Sequence, residues 1–146
     1  MHCFAPDRPE GKPSHTDFVH VHSLADHVIL LAQPKTGRQH QIRAHAAYLG
    51  YPLLGDKMYQ QDKNIFTRFS THTQTQEDYD YMGLARHALH AFHLQLGGDL
   101  SKSFQCALAQ DMQTWLEDHL DISQEEFLTK MNQAQQTLAA MSPSAI

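Results

Sequence analysis

The change of hydrophobic period across Pro34–Gly37 constrains this chain more than any other feature. From His15 the residues alternate, with Thr16, Phe18, His20 and His22 on one face and Asp17, Val19 and Val21 on the other. That period predicts a strand. Val28 to Ala32 is a second apolar run, and Asp26-His27 between the two suits a hairpin connection, so an antiparallel pair is expected. Pro34 and Gly37 end the second run. From Gln39 to Leu49 the period becomes helical: Ile42, Ala46 and Leu49 share a face, Gly50 is placed to end the helix, and Pro52 follows. A hairpin that runs straight into a helix calls for an α+β fold.

The rest of the chain extends this pattern. Residues 1–14, with Asp7-Arg8-Pro9-Glu10-Gly11-Lys12-Pro13, read as loop. Gln60 to Gly83 is polar and irregular, a long surface excursion with a short helix near Asn64–Phe69 and its least structured part at Thr71–Gln76. Arg86–Leu96 and Ser103–Leu108 read as two more strands around Gly97-Gly98-Asp99. From Asp111 a helix uses Met112, Trp115, Leu116 and Leu120, and a second spans approximately Gln124 to Ala140. The Ser142-Pro143-Ser144 end is expected to fray. Residues 1–110 thus form one mixed unit, and 111–146 a C-terminal helical extension.

Charge bears on the partner. The net charge is -5, and the segment beyond residue 108 accounts for all of it, with six carboxylates against the single Lys130. Between His27 and Gly55 there is no carboxylate, while Lys35, Arg38 and Arg43 are present. The positive field is therefore local, and global charge neither supports nor excludes a nucleic acid. No run approaches the roughly 18 apolar residues of a membrane span, and no basic leader or long apolar run opens the chain. Cys3 and Cys106 form neither a disulfide framework nor a CxxC site, so a cytoplasmic setting is expected. His87, His90 and His93 recur every third residue. On a strand that spacing alternates faces, and no Cys or carboxylate completes a site, so no metal is expected.

The chemistry concentrates in Pro34-Lys35-Thr36-Gly37-Arg38-Gln39-His40-Gln41-Ile42-Arg43-Ala44-His45. A strand enters, Thr36-Gly37 turns the chain, and a helix leaves with Arg38, His40, Gln41 and Arg43 in its first turns. Free helix amides and two guanidiniums suit an anion or a buried carboxylate. A solvated basic helix start is the plain competitor.

Thr36–His45, followed by Leu49-Gly50-Tyr51-Pro52-Leu53-Leu54-Gly55-Asp56 and Tyr59, resembles the TGRxHQIRxH…LGxPLLGDxxY signature of the RluA-type pseudouridine synthases. Gly11-Lys12-Pro13 with Thr16 resembles the GKPAxT segment before that signature, and Arg86-His87-Ala88-Leu89-His90-Ala91 with Leu94 the RxxLHAxxL strand after it. The resemblance covers residues 11–110 approximately and implies the C-terminal part of that catalytic domain, whose fold is a mixed, largely antiparallel sheet with flanking helices. It implies isomerisation of uridine to pseudouridine in structured rRNA or tRNA, without metal or organic cofactor. The family's aspartate (HRLDxxTSG) and tyrosine (K-x-Y-x-A) lie upstream of the matched region, and no aspartate of this chain stands in such a context.

By the resemblance, Arg43 is the arginine that pairs with that aspartate. Lacking it, Arg43 is expected beside a cleft, satisfied by solvent or an anion. Lys35, Arg38, His40 and Gln41 are expected to contact RNA or shape the pocket, with Leu53 and Leu54 as walls and Tyr59 at the rim. His45 is expected to pack around the helix, and Asp56 to be a turn residue bonding its own backbone. The chain alone is expected to be inactive, and half of such a sheet exposes an edge. Its partner would be the missing N-terminal half of the domain, or a second copy. A non-catalytic RNA-binding module, or a degenerate relative using its acidic helices for protein contacts, are the alternatives.

Overall fold

The structure, a computed structural model, describes residues 11–24, 26–97 and 102–141. The expectations for residues 1–10, Gly98-Asp99 and the Ser142-Pro143-Ser144 end lie outside them. Strands β1 (Thr16–Leu24) and β2 (His27–Pro34) form the expected antiparallel hairpin, with Val19 opposite Leu31 and Phe18 opposite Ala32. A bulge between His20 and His22 interrupts the register. Val19 and Val21 both reach the core.

Helix α1 (Gln41–Tyr48) follows, two residues later than the expected start at Gln39, because His40 is left-handed at φ 52°. It stops where expected: Gly50 takes φ 90° and donates its N–H to Ala47 O, a conformation that costs glycine little.

The excursion is more ordered than its composition implies. Besides α2 (Ile65–Ser70), near the expected short helix, it holds α3 (Gln76–Met82), which the sequence reading left without a helix; residues 71–75 before it are irregular, as expected. Thr75 caps α3: its hydroxyl accepts from Asp78 N–H while the Asp78 carboxylate accepts from Thr75 N–H. A short polar residue with a carboxylate three places on is the signal in the sequence for that start. Arg68 ties α2 to α3 by hydrogen bonds to Asp78 and Asp62. Ile65 and Met82 are each 1% exposed, which gives the excursion its own apolar anchor.

The second strand pair is shorter than expected. β3 covers only His93–Leu96 and β4 only Lys102–Gln105, paired antiparallel to each other and to nothing else among the described residues. Residues 86–92 have strand-like composition but no ladder partner, and a strand without one is not stable. The fold is therefore α+β with two separate two-stranded antiparallel sheets.

Helices α4 (Gln110–Leu120) and α5 (Gln124–Met141) pack on the first hairpin. Leu116, Leu120, Ile122, Phe127 and Met131 form the main core with Val21, Ile29 and Leu31 at its edge, and Ala134 and Leu138 meet Val19 beside it. The C-terminal helices thus supply most of the surface on which β1 and β2 are buried.

Candidate functional site

Arg43 lies in the first turn of α1, and Asp56 follows the Tyr51–Gly55 connection. Their side chains meet in a bidentate pair: Nε donates to Asp56 Oδ2 at 2.7 Å and Nη2 to Oδ1 at 2.8 Å. The Arg43 side chain is 12% exposed and that of Asp56 fully buried. This corrects the expectation of an unpaired Arg43 beside a cleft holding solvent or an anion. The physical reason is that a nearly buried guanidinium is costly without a carboxylate, and the chain supplies one thirteen residues on. Asp56 does serve its own turn as well, with Oδ1 accepting from Met58 N–H at 2.9 Å and Tyr59 N–H at 3.3 Å.

The approach that allows this depends on Gly55. Its φ is 73°, and a Cβ there would lie 2.0 Å from the carbonyl oxygen of Arg86. The segments 54–57 and 85–88 touch backbone to backbone: Ala88 N–H donates to Leu54 O at 2.7 Å, and Lys57 Nζ donates to Ala85 O at 2.6 Å. A side chain at position 55 would separate them.

Electrostatics follow from the geometry. Burial pushes the Asp56 carboxyl up, but hydrogen bonds from Arg43 and from the Met58 and Tyr59 amides outweigh it, and the group lies below the ordinary carboxylate range. The same hydrogen bond raises Arg43 despite its burial. The guanidinium stands over the Tyr59 ring, 5.2 Å from its centroid. The Tyr59 hydroxyl is 3.4 Å from His40 Nδ1, and the two rings meet edge to face. His87 is close enough that, after its own burial, the Arg43 cation is the next cause lowering its pKa. Arg43, Asp56, Tyr59, His40 and His87 therefore form one cluster. Arg43 Nη1 makes no hydrogen bond among the described residues, yet it is not one of the buried unpartnered atoms.

Other expected site residues divide. Lys35 and Arg38 are exposed, Lys35 bridging to Asp17 at 3.2 Å and Arg38 Nε donating to Pro13 O at 3.3 Å. Gln41, expected to contact RNA or shape the pocket, is 6% exposed. Its Oε1 accepts from Thr36 Oγ1 and Arg38 N–H, and its Nε2 donates to His15 O and Thr16 Oγ1. Every polar atom of its amide is engaged inside the chain, which takes it out of contact with RNA and makes it the pin between hairpin and helix. His45 joins that pin through Thr16 and Ser14 as a packing residue, and its pKa is lowered by burial.

Leu53 and Leu54, with Ile42 and Ala46, line a cavity of about 1330 Å³ along β2. Sequence reasoning missed Asp56 as the partner of Arg43, and His87 as a neighbour. Only the carboxylate-free window, which ends at Asp56, pointed that way. Among the described residues no group of three or more His, Cys, Asp or Glu could hold a metal ion, and no helix is long and apolar enough to cross a membrane.

Comparison with known proteins gives the context. No protein-family model and no solved structure matches the chain. It is similar to ribosomal large subunit pseudouridine synthase C of Vibrio cholerae, 35% identical over 126 residues, which covers 86% of this chain and 34% of that protein. Ribosomal large subunit pseudouridine synthase D of Buchnera aphidicola subsp. Acyrthosiphon pisum is 36% identical over 109 residues, 73% of this chain and 34% of the relative. The dual-specificity RNA pseudouridine synthase RluA of Escherichia coli K12 is 40% identical over 65 residues, 39% of this chain and 30% of the relative. The chain thus spans about a third of the length of the curated relatives it matches. Within that span, this chain belongs to the RluA-type RNA pseudouridine synthase family.

Proposed function

We propose that this chain supplies the arginine side of a uridine-to-pseudouridine isomerase site, together with part of its RNA-facing edge. The reading rests on one observation: Arg43 is fixed through its Nε and Nη2 atoms, and its Nη1 makes no hydrogen bond among the described residues. A guanidinium held on one edge can still donate to a carboxylate or a carbonyl on the other, because its donors lie in a rigid plane. In the complete site that acceptor would be the aspartate expected from another part of the domain. Lys35 and Arg38, exposed on the carboxylate-free stretch, would take phosphates, with His40 beside them. Ribosomal or transfer RNA is the substrate class in this reading. The chain alone would bind structured RNA and not isomerise it.

The test is a filter-binding series on the purified chain with ribosomal and transfer RNA. Affinity should fall steeply between about 50 and 200 mM salt, as phosphate contacts do. Lys35→Ala with Arg38→Ala should weaken binding and flatten that slope. Binding unchanged by the double substitution at low salt would place the interface elsewhere. Pseudouridine formation by the chain alone, detected by mass spectrometry, would overturn the assignment of the nucleophile to another part of the domain.

A second reading is favoured by the Arg43–Asp56 pair itself. A site whose arginine already has its own carboxylate fits a non-catalytic RNA-binding module. RNA binding with no turnover, even after the rest of a family domain is supplied, would decide for it.

A further inference from the structure

The stretch from His27 to Gly55 has no carboxylate of its own, yet the fold brings one to it. Asp17 stands opposite Gln33 in the β1–β2 ladder, and directly opposed residues share a face of the sheet. Its side chain therefore lies beside the end of β2, where Lys35 leaves the strand. Backbone contacts fix that end: Lys35 N–H donates to His15 O at 2.9 Å, and His15 N–H donates to Thr36 Oγ1 at 3.0 Å.

The two oxygens of Asp17 serve two different donors. His15 Nε2 donates to Oδ1 at 2.7 Å, and Lys35 Nζ lies 3.2 Å from Oδ2. The Lys35 ammonium also donates to the Gln33 amide oxygen. The hydrogen bond from His15 outweighs partial burial and, with that from Lys35, holds the Asp17 carboxyl below the ordinary carboxylate range. Asp17 is therefore charged at neutral pH.

Stability does not explain this arrangement. The Lys35 and Asp17 side chains are 38% and 21% exposed, and that of His15 is 66% exposed. Ion pairs so open to water add little to folding, because water screens the attraction and long side chains must be held in one geometry. What the carboxylate does change is the field that an incoming anion meets. At 3.2 Å from the ammonium it cancels much of that charge, and a phosphate can reach Lys35 fully only by displacing it.

We infer that Asp17 sets the RNA affinity of this edge: its carboxylate holds the place of a backbone phosphate at Lys35 and His15, and RNA must displace it to engage them. This deepens the proposed function and rests on its assignment of Lys35 to RNA. Nonspecific RNA binding is almost wholly electrostatic, so such a carboxylate lowers occupancy of the edge by RNA that offers nothing but phosphates.

The experiment is filter binding of the full chain to an unmodified transfer RNA transcript at about 50 and 200 mM salt. Asp17→Asn removes the charge and keeps the side-chain shape, and it should bind at least about threefold tighter at the lower salt. One gained phosphate contact steepens the logarithmic salt slope by ~0.9, so about threefold of that advantage should vanish by 200 mM. Asp17→Ser should give the same gain, and both variants should keep the wild-type circular dichroism. Loss of the fold in both would make the carboxylate structural and overturn the inference. In a Lys35→Ala background, Asp17→Asn should lose most of its effect. A full gain there would mean that the charge acts at a distance, and equal or weaker binding by Asp17→Asn alone would also overturn the inference. The two readings fail separately. If Lys35→Ala with Arg38→Ala weakens binding while Asp17→Asn leaves it unchanged, the edge binds RNA and Asp17 does not set its affinity. If that double substitution has no effect, the proposed edge fails and the inference fails with it.

Discussion

Removing the Asp56 carboxylate should be among the most damaging single changes in this chain. In Asp56→Ala the guanidinium of Arg43, 12% exposed, loses both acceptors, and the Met58 and Tyr59 amides lose theirs. Breaking a buried ion pair from one side costs about 3–5 kcal/mol. The Arg43 side chain keeps some exposure and the Tyr59 ring covers one face of the cation, so the lower end, about 3 kcal/mol, is expected. With a urea dependence of about 1.5 kcal/mol per molar, the unfolding midpoint should fall by about 2 M. Arg43→Met keeps the packing and leaves a carboxylate that still accepts two amides and can take a proton, so about 1–3 kcal/mol is expected. Because each variant strands the other partner, the double variant should cost less than the sum by about 1–3 kcal/mol. Urea unfolding followed by circular dichroism measures all three. The sign with pH is also fixed. A carboxylate whose folded pKa is depressed contributes stability above its unfolded pKa and loses that contribution as pH falls through the folded value. The gap between wild type and Asp56→Ala should therefore narrow in acid. A coupling below about 0.5 kcal/mol would refute the claim that the pair acts as a unit.

Other changes test other links. Gly55→Ala forces a Cβ to within 2.0 Å of the Arg86 carbonyl at φ 73°, and should lower stability by at least about 2 kcal/mol in the same assay. Ile122→Ala, in the main core at 1% exposure, should cost about 2–5 kcal/mol, and a loss under about 1 kcal/mol would mean that the helices do not pack on the hairpin as described. Asp78, held at about 2 by Arg68 and by its cap at Thr75, should keep α3 docked above the ordinary carboxylate range. That contribution should disappear as pH falls towards about 2, and carboxyl titration by NMR should show a midpoint below the ordinary aspartate value of 3.8. A midpoint at or above it would mean that the Arg68 bridges do not form in solution.

The hairpin, α1 and the two C-terminal helices were legible because their signals are local. Alternation in Thr16–Val21, the helical period of Gln41–Tyr48 with Gly50 after it, and the apolar stripe of 112–120 each report a structure that its own residues favour. The family was legible in the TGRxHQIRxH run for the same reason, since a motif is a property of order along the chain. Helix α3 was locally encoded as well, in Thr75 and Asp78, and was obscured only by the polar composition around it.

What the sequence could not decide were the properties that belong to pairs of distant segments. Gln41 looks like a surface amide until His15, Thr16 and Thr36 close around it. Asp56 looks like a turn residue until Gly55 lets the 85–88 backbone approach and α1 brings Arg43 over it. Residues 86–92 carry the composition of a strand, but a strand exists only where a neighbouring strand pairs with it in a ladder, and among the described residues none does. Propensity lies along the chain and can be read there. Burial and pairing are decided by which surfaces the tertiary fold brings together.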